Sequence, residues 1–112
     1  MITPWGEWNV LFEGPSYKVK RITVNPGHRL SYQRHLHRRE HWMIVEGSGI
    51  MTLDGRSYEV ASGQTVDIPI GTPHRIAGAG TEPLVFIEIW SGNSCDEEDI
   101  IRLEDDYGRT GK

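Results

Sequence analysis

Gln33, His35, Glu40 and His74 are the residues whose types and spacing offer chemistry. They supply two imidazoles, one carboxylate and one amide oxygen, donors that hold a borderline divalent ion. Taken singly, a strand histidine is usually a surface group or a satisfied core residue. The pair of glycine-bounded segments carries the reading: Gly27, Gln33, His35, Glu40 and Gly47 in the first, and Gly63, Pro69, Gly71 and His74 in the second. Two histidines and one carboxylate leave positions open to water or substrate, as a catalytic metal site requires. Gln33 stands as a harder, neutral donor where a third imidazole could be. Zinc is the first choice for such a set, with manganese, nickel or iron as the other candidates. His37 has the strand parity of His35 and is a rival ligand. His28 reads as solvent-facing, and His41 points away from the metal.

The elements that must position these groups are short strands. Tyr17–Val24 alternates, is rich in β-branched residues and stops at Asn25-Pro26-Gly27. Residues 29–35 read as a strand, and 42–45 as a short buried run. Residues 50–53 and 56–60 flank Asp54-Gly55, the strongest hairpin signal in the chain. Further strands are expected at 64–68, 74–77 and 84–90, roughly nine or ten in all. Successive strand residues face opposite sides, so Gln33 and His35 share a face that Trp42 and Ile44 continue inward. A tight turn would bring Glu40 onto that face, and the turn over 69–73 would aim His74 back at it. Residues 96–103 read as one helical turn opened by acids. The tail, 105–112, is expected to fray. An all-β sandwich or barrel follows, and a small double-sheet jelly roll fits the length.

The chain has 112 residues, which suits one domain spanning 1–112. It is 37% hydrophobic and 25% charged, an ordinary globular balance that excludes wholesale disorder. The net charge of -4 and the lack of a basic run argue against a nucleic-acid partner. Cys95 is the lone cysteine, so no intrachain disulfide forms. No run approaches the roughly 20 apolar residues of a membrane-spanning helix. The start of the chain lacks the marks of a signal peptide, so the cytoplasm is the expected compartment.

The first segment resembles the first motif of the cupin superfamily, with Gln33 where that motif has its first histidine. The second segment is similar to the second cupin motif, with Gly78 in place of its terminal asparagine. More of the chain narrows the likeness. Pro4-Trp5-Gly6, Gln33-x-His35, Glu40-His41-Trp42, Ile87-Glu88 and the stretch from Asp99-Ile100 to Asp105-x-Tyr107-Gly108-Arg109 resemble the type II mannose-6-phosphate isomerase domain. That domain usually forms the C-terminal part of a bifunctional guanylyltransferase/isomerase. The resemblance implies a cupin double-stranded β-helix, a homodimer, and a metal-dependent aldose–ketose isomerase acting on mannose 6-phosphate and fructose 6-phosphate. The Gly-rich nucleotide loop of the bifunctional enzyme has no counterpart in these residues, so nucleotidyl transfer is not expected of them. Asn93 to Asp96 departs from the family pattern.

An isomerase needs a base and a phosphate site. Glu88 lies in an otherwise apolar strand, where an unpaired carboxylate is costly. It reads either as a base with a raised pKa inside the barrel or as the partner of a cation on an adjacent strand. His37 is the second candidate base. Lys18 and Lys20 share one strand face, and Arg29, Arg38 and Arg75 lie near ligand positions. Guanidinium groups suit bidentate phosphate contact, although each cation alone reads more readily as a solvated surface charge. Two other classes stay open on the same ligands: a non-haem iron dioxygenase, and a metal- and sugar-binding module without turnover.

Overall fold

Alternation of apolar and polar residues along the strands builds two antiparallel sheets. The computed structural model describes residues 1–111, with strands β1 (Ile2–Thr3), β2 (Gly6–Glu13), β3 (Tyr17–Val24), β4 (Tyr32–Arg34), β5 (Arg38–Glu46), β6 (Ser48–Leu53), β7 (Arg56–Ala61), β8 (Thr65–Ile68), β9 (His74–Ala79), β10 (Leu84–Gly92) and β11 (Ile101–Glu104). One sheet runs β1-β2-β3-β10-β5-β8 and the other β11-β4-β9-β6-β7. This is the jelly roll expected from the turn-bounded strands, with β1 and β2 as additions the sequence reading lacked. Among the described residues there is no helix.

The inward faces of β3, β10 and β5 change character along their length. Register pairs Ile22 with Phe86 and Phe86 with Ile44, a wholly apolar row. The next row is Lys20, Glu88 and Trp42, and the one after it Lys18, Trp90 and Glu40. The opposite sheet adds Met51 and Ile76, register partners and both fully buried. One end of the sandwich is therefore a dry core, and the other buries charge. Trp42 forms the boundary, stacked on Phe86 at 4.4 Å and edge-on to His74 at 5.6 Å.

Two expectations fail where acidic side chains are held by hydrogen bonds and ion pairs, several of them to residues distant in sequence. Residues 96–103 make no helical turn. Asp96 Oδ1 accepts the Glu98 N–H, while the Asp99 carboxylate accepts the N–H groups of Leu36 and His37, both at 2.9 Å. The chain then continues as β11, an edge strand on β4. The tail does not fray over 105–111. Asp105 takes a bidentate ion pair from Arg109, Asp106 takes one from Arg29, and the Tyr107 hydroxyl lies 2.8 Å from His28 Nδ1. Lys112, the last residue of that expectation, lies outside the described residues.

The hairpin at Asp54-Gly55 has φ of 50° and 80°, the left-handed pair a two-residue turn demands. Gly47 is more constrained, since its φ is 77° and an added Cβ would lie 2.5 Å from the Pro83 carbonyl oxygen. Gly55 has the strained φ but open space around it. Gly55→Ala should cost about 1–2 kcal/mol from the backbone alone. Gly47→Ala should cost about 3 kcal/mol or more, because the backbone must also shift. Urea unfolding of both variants checks this, and an equal loss in the two would show that the contact at Gly47 is not limiting.

Candidate metal centre

The ligand cluster is assembled from both sheets at the charged end. Gln33 on β4 and His74 at the start of β9 are register partners. His35 follows β4 directly, and Glu40 comes from the inward face of β5. The turn over 69–73 has two roles here. Its Gly71 N–H donates to the His35 carbonyl at 2.7 Å, and its Thr72 carbonyl accepts from His74 Nδ1 at 2.9 Å. Donor atoms of His35, Glu40 and His74 all lie within 4.8 Å of one another, and all three residues are buried.

The backbone hydrogen bonds of the two rings turn Nε2 of each histidine toward the cluster. His35 Nδ1 lies 2.6 Å from the Asp99 carbonyl, and His74 Nδ1 faces the Thr72 carbonyl. A carbonyl only accepts, so each ring carries its proton on Nδ1 and presents a bare Nε2 lone pair. Burial pushes the His35 imidazole down to about 4, against the pull of Glu40, and pushes His74 down as well. Burial pushes the Glu40 carboxyl up, but His35, Arg38, His74 and the Trp42 N–H together hold it down to about 2. Near neutral pH, His35 Nε2 and Glu40 Oε2 are thus two acceptors 3.1 Å apart. That contact is repulsive unless a cation is shared between them, and so the donor set fits a metal. Gln33 Nε2 leans to the Ser31 carbonyl at 3.4 Å, which leaves Oε1 available as a fourth donor.

Arg38 is the cation that already touches this cluster. Its Nε donates to Glu40 Oε2 at 2.8 Å, and its Nη2 lies 3.4 Å from His35 Nε2. Its guanidinium stacks 3.3 Å from the Trp90 ring centroid, and its Nη1 donates to the Asp96 and Asp99 carbonyls. Trp42 Nε1 takes the other Glu40 oxygen at 2.8 Å.

A cavity of about 120 Å³ opens onto the cluster. Glu88, Lys20, Arg38, Trp8 and Trp90 line it beside the four ligand candidates. Glu88 is buried, and Trp90 Nε1 donates to its Oε1 at 2.8 Å. Burial and the charge of Glu40 push its carboxyl up to about 8, with Lys20 pulling the other way. It makes no ion pair among the described residues, because Lys20 turns to Glu97 instead. The other expected groups lie elsewhere. His37 is exposed and outside the cavity, and its backbone rather than its ring is held. The chain bends between β4 and β5, so strand parity with His35 does not apply. Lys18 is buried beside Lys20 but does not line the cavity. Arg29 is spent on Asp106, and Arg75 donates to the Leu30 carbonyl at 3.1 Å away from the cavity. His41 pairs with Asp67 on the outside.

Three charged cavity residues have no site role in the sequence reading: Glu97, Arg102 and Arg109. Arg102 is the register partner of Gln33 on β11, a strand the acidic run disguised.

Residues 1–105 match the family described as mannose-6-phosphate isomerase C-terminal. The alginate biosynthesis protein AlgA of Pseudomonas aeruginosa is 46% identical over 97% of this chain and 23% of its own length. A mannose-1-phosphate guanylyltransferase of Klebsiella pneumoniae is 44% identical over 95% of this chain and 22% of its own. The chain thus spans less than a quarter of the curated relatives it matches. Among solved structures, a conserved protein with a double-stranded β-helix domain from Klebsiella pneumoniae superposes with a TM-score of 0.75. It is 18% identical, over 86% of this chain and 77% of that one, and so it bears on the fold alone.

The raised Glu88 carboxyl has a consequence for stability. Unfolding returns it to the usual range near 4.5, so between that value and about 8 the unfolded chain has lost a proton that the native chain keeps. Stability referred to Glu88 is therefore full below about 4.5 and declines as pH rises through about 8. Glu88→Gln should remove that decline. Urea unfolding of both proteins from pH 5 to 9 checks it, and parallel profiles would mean that Glu88 is not held protonated.

Proposed function

The chain belongs to the mannose-6-phosphate isomerase C-terminal family, and from that premise we propose that it interconverts mannose 6-phosphate and fructose 6-phosphate. The observation that carries the reading is Glu88, a buried carboxyl held up to about 8 in the same cavity as His35, Glu40 and His74. A proton carrier and a ligand cluster facing one space are what an aldose–ketose isomerase needs.

Gln33, His35, Glu40 and His74 are the ligands in this reading, with zinc the first choice. A divalent ion held there supplies positive charge against the oxyanion that develops as the carbonyl moves between C1 and C2. Glu88 takes the proton from C2 of mannose 6-phosphate; the C–H electrons become the C1–C2 double bond, and the C1 carbonyl electrons move onto O1 to give an enediolate. O1 gains the hydroxyl proton that O2 gives up, Glu88 returns its proton to C1, and the new carbonyl at C2 makes the ketose. Because Trp90 holds Glu88 Oε1, Oε2 is the atom that moves the proton. We assign this step to Glu88 and not to His37, whose ring lies outside the cavity. Lys20, Arg38 and Arg102 bring positive charge to the space for the phosphate, while the Arg109 guanidinium beside them is held by Asp105. The guanidinium of Arg102 makes no hydrogen bond or ion pair among the described residues. Exposed Met43, Val45 and Ile89 on the outer face of the six-stranded sheet support a homodimer.

A metal- and sugar-binding module without turnover is the second reading.

Mannose 6-phosphate incubated with the metal-loaded chain and followed by NMR should yield fructose 6-phosphate. The rate should rise toward pH 8 as Glu88 ionises, since a base acts in its deprotonated form. Glu88→Gln should lower kcat by about 100-fold or more, with KM and metal content nearly unchanged. No product with zinc, manganese, nickel and iron each restored would sink the isomerase reading. Bound metal in that case would leave the module.

A further inference from the structure

Lys18 and Lys20 project from the inward face of β3 and are only 5% and 3% exposed. A buried ammonium requires an anion close by. Lys20 Nζ sits 3.6 Å from the Trp8 ring centroid and 4.4 Å from that of Trp90. Its register neighbour, Glu88, is mostly protonated near neutral pH and gives little charge in return. Lys18 has an anion on the neighbouring strand, Glu13 of β2 at 3.3 Å, but the anion common to both lysines comes from outside the strand framework. Glu97 Oε1 lies 2.9 Å from Lys20 Nζ, and its Oε2 lies 3.1 Å from Lys18 and 3.2 Å from Lys20. One carboxylate thus bridges two ammoniums while its own side chain remains 39% exposed.

Glu97 belongs to the irregular stretch between β10 and β11. Its neighbours fasten that stretch to the ligand side: Asp99 holds the Leu36 and His37 N–H groups, and the Asp96 and Asp99 carbonyls accept from Arg38. On the lysine side, the Glu97 carboxylate is the tie. Glu97 lines both the cavity and a groove on the outer surface, next to Arg102. The cavity behind it holds about 120 Å³, against roughly 300 Å³ or more for an ordinary small-molecule site. With Glu97 in place there is little room for a hexose phosphate.

We propose that Glu97 is an internal stand-in for the substrate's phosphate. The Lys20 ammonium, which lines the cavity, and the Lys18 ammonium, which lies against Glu97 outside the lining, form the anion subsite, and the Glu97 carboxylate leaves it when a phosphate monoester enters, which enlarges the cavity. This rests on the reading of the cavity as a sugar-phosphate site and deepens it. A phosphate dianion on two ammoniums outcompetes a single carboxylate, whereas an unphosphorylated sugar has nothing to displace it with. Glu97 thereby sets the preference for phosphorylated over free sugar.

Titration with inorganic phosphate, read through Trp8 and Trp90 fluorescence, tests the proposal without sugar and without turnover. If Glu97 occupies the subsite about nine-tenths of the time, Glu97→Gln tightens phosphate binding about tenfold. Lys20→Met in the Glu97→Gln background should abolish the gain. Glu98→Gln on the same stretch, with no contact to either lysine, should bind as the unaltered chain does. No tightening in Glu97→Gln, tightening that survives Lys20→Met, or equal tightening in Glu98→Gln would each overturn it. Should Glu97→Gln fail to fold, Glu97→Asp keeps the charge but falls short of both ammoniums and must tighten binding in the same direction. The two readings fail separately. Tightened phosphate binding in a chain that forms no fructose 6-phosphate leaves this subsite standing and removes only the isomerase, while turnover with no tightening removes only the role of Glu97.

Discussion

Everything at the charged end of the sandwich depends on one buried carboxylate. Glu40 is 4% exposed, so bulk solvent screens its charge little. Both oxygens must then be satisfied by protein, and they are: Trp42 and Arg38 donate at 2.8 Å each, and His35 Nε2 stands 3.1 Å away. Removing one partner of such a buried set typically costs about 3–5 kcal/mol, because an uncompensated charge is left behind. The same arrangement holds the carboxyl ionised to about pH 2 and leaves two imidazole lone pairs bare. A buried carboxylate with two imidazole nitrogens turned toward it suits a divalent ion, with Arg38 as the competing cation.

Glu40 also sets the charge state of its neighbour. Glu88 lies one row deeper on β10, beside Trp42, and shares the cavity. Burial and the fixed negative charge of Glu40 push it up to about 8, so two carboxyls in one space hold different protonation states. The divergence is the usual mark of a division between charge stabilisation and proton transfer. It arises from the gradient along the strands, in which Phe86 and Ile44 form a dry floor below Glu88 while Lys18, Lys20 and Arg38 crowd the rim.

Much of this was legible in the residues. Alternation along 17–24 put Lys18 and Lys20 on one face, which the structure turns inward, and parity joined Gln33 to His35. The Asp-Gly hairpin formed where its dihedral demands require. The errors cluster where distant groups decide local structure. Acids at 96–99 looked like a helix start, but Asp99 caps the bend at Leu36 and His37 instead, and so both β11 and the cavity residues Glu97 and Arg102 went unread. The same bend removed His37 from the face it would share with His35. Arg29 and Arg75, adjacent in sequence to site positions, were drawn off by Asp106 and by the Leu30 carbonyl.

The central claim is that Glu40, with His35 and His74, is a metal centre and not a self-satisfied polar cluster with Arg38 as its permanent cation. Titration of the metal-stripped chain with cobalt(II), followed by its visible absorption, tests this most directly. The account predicts one ion per chain, with affinity lowered about 100-fold or more in Glu40→Gln. No cobalt spectrum, or the same affinity in Glu40→Gln as in the unaltered chain, would contradict it.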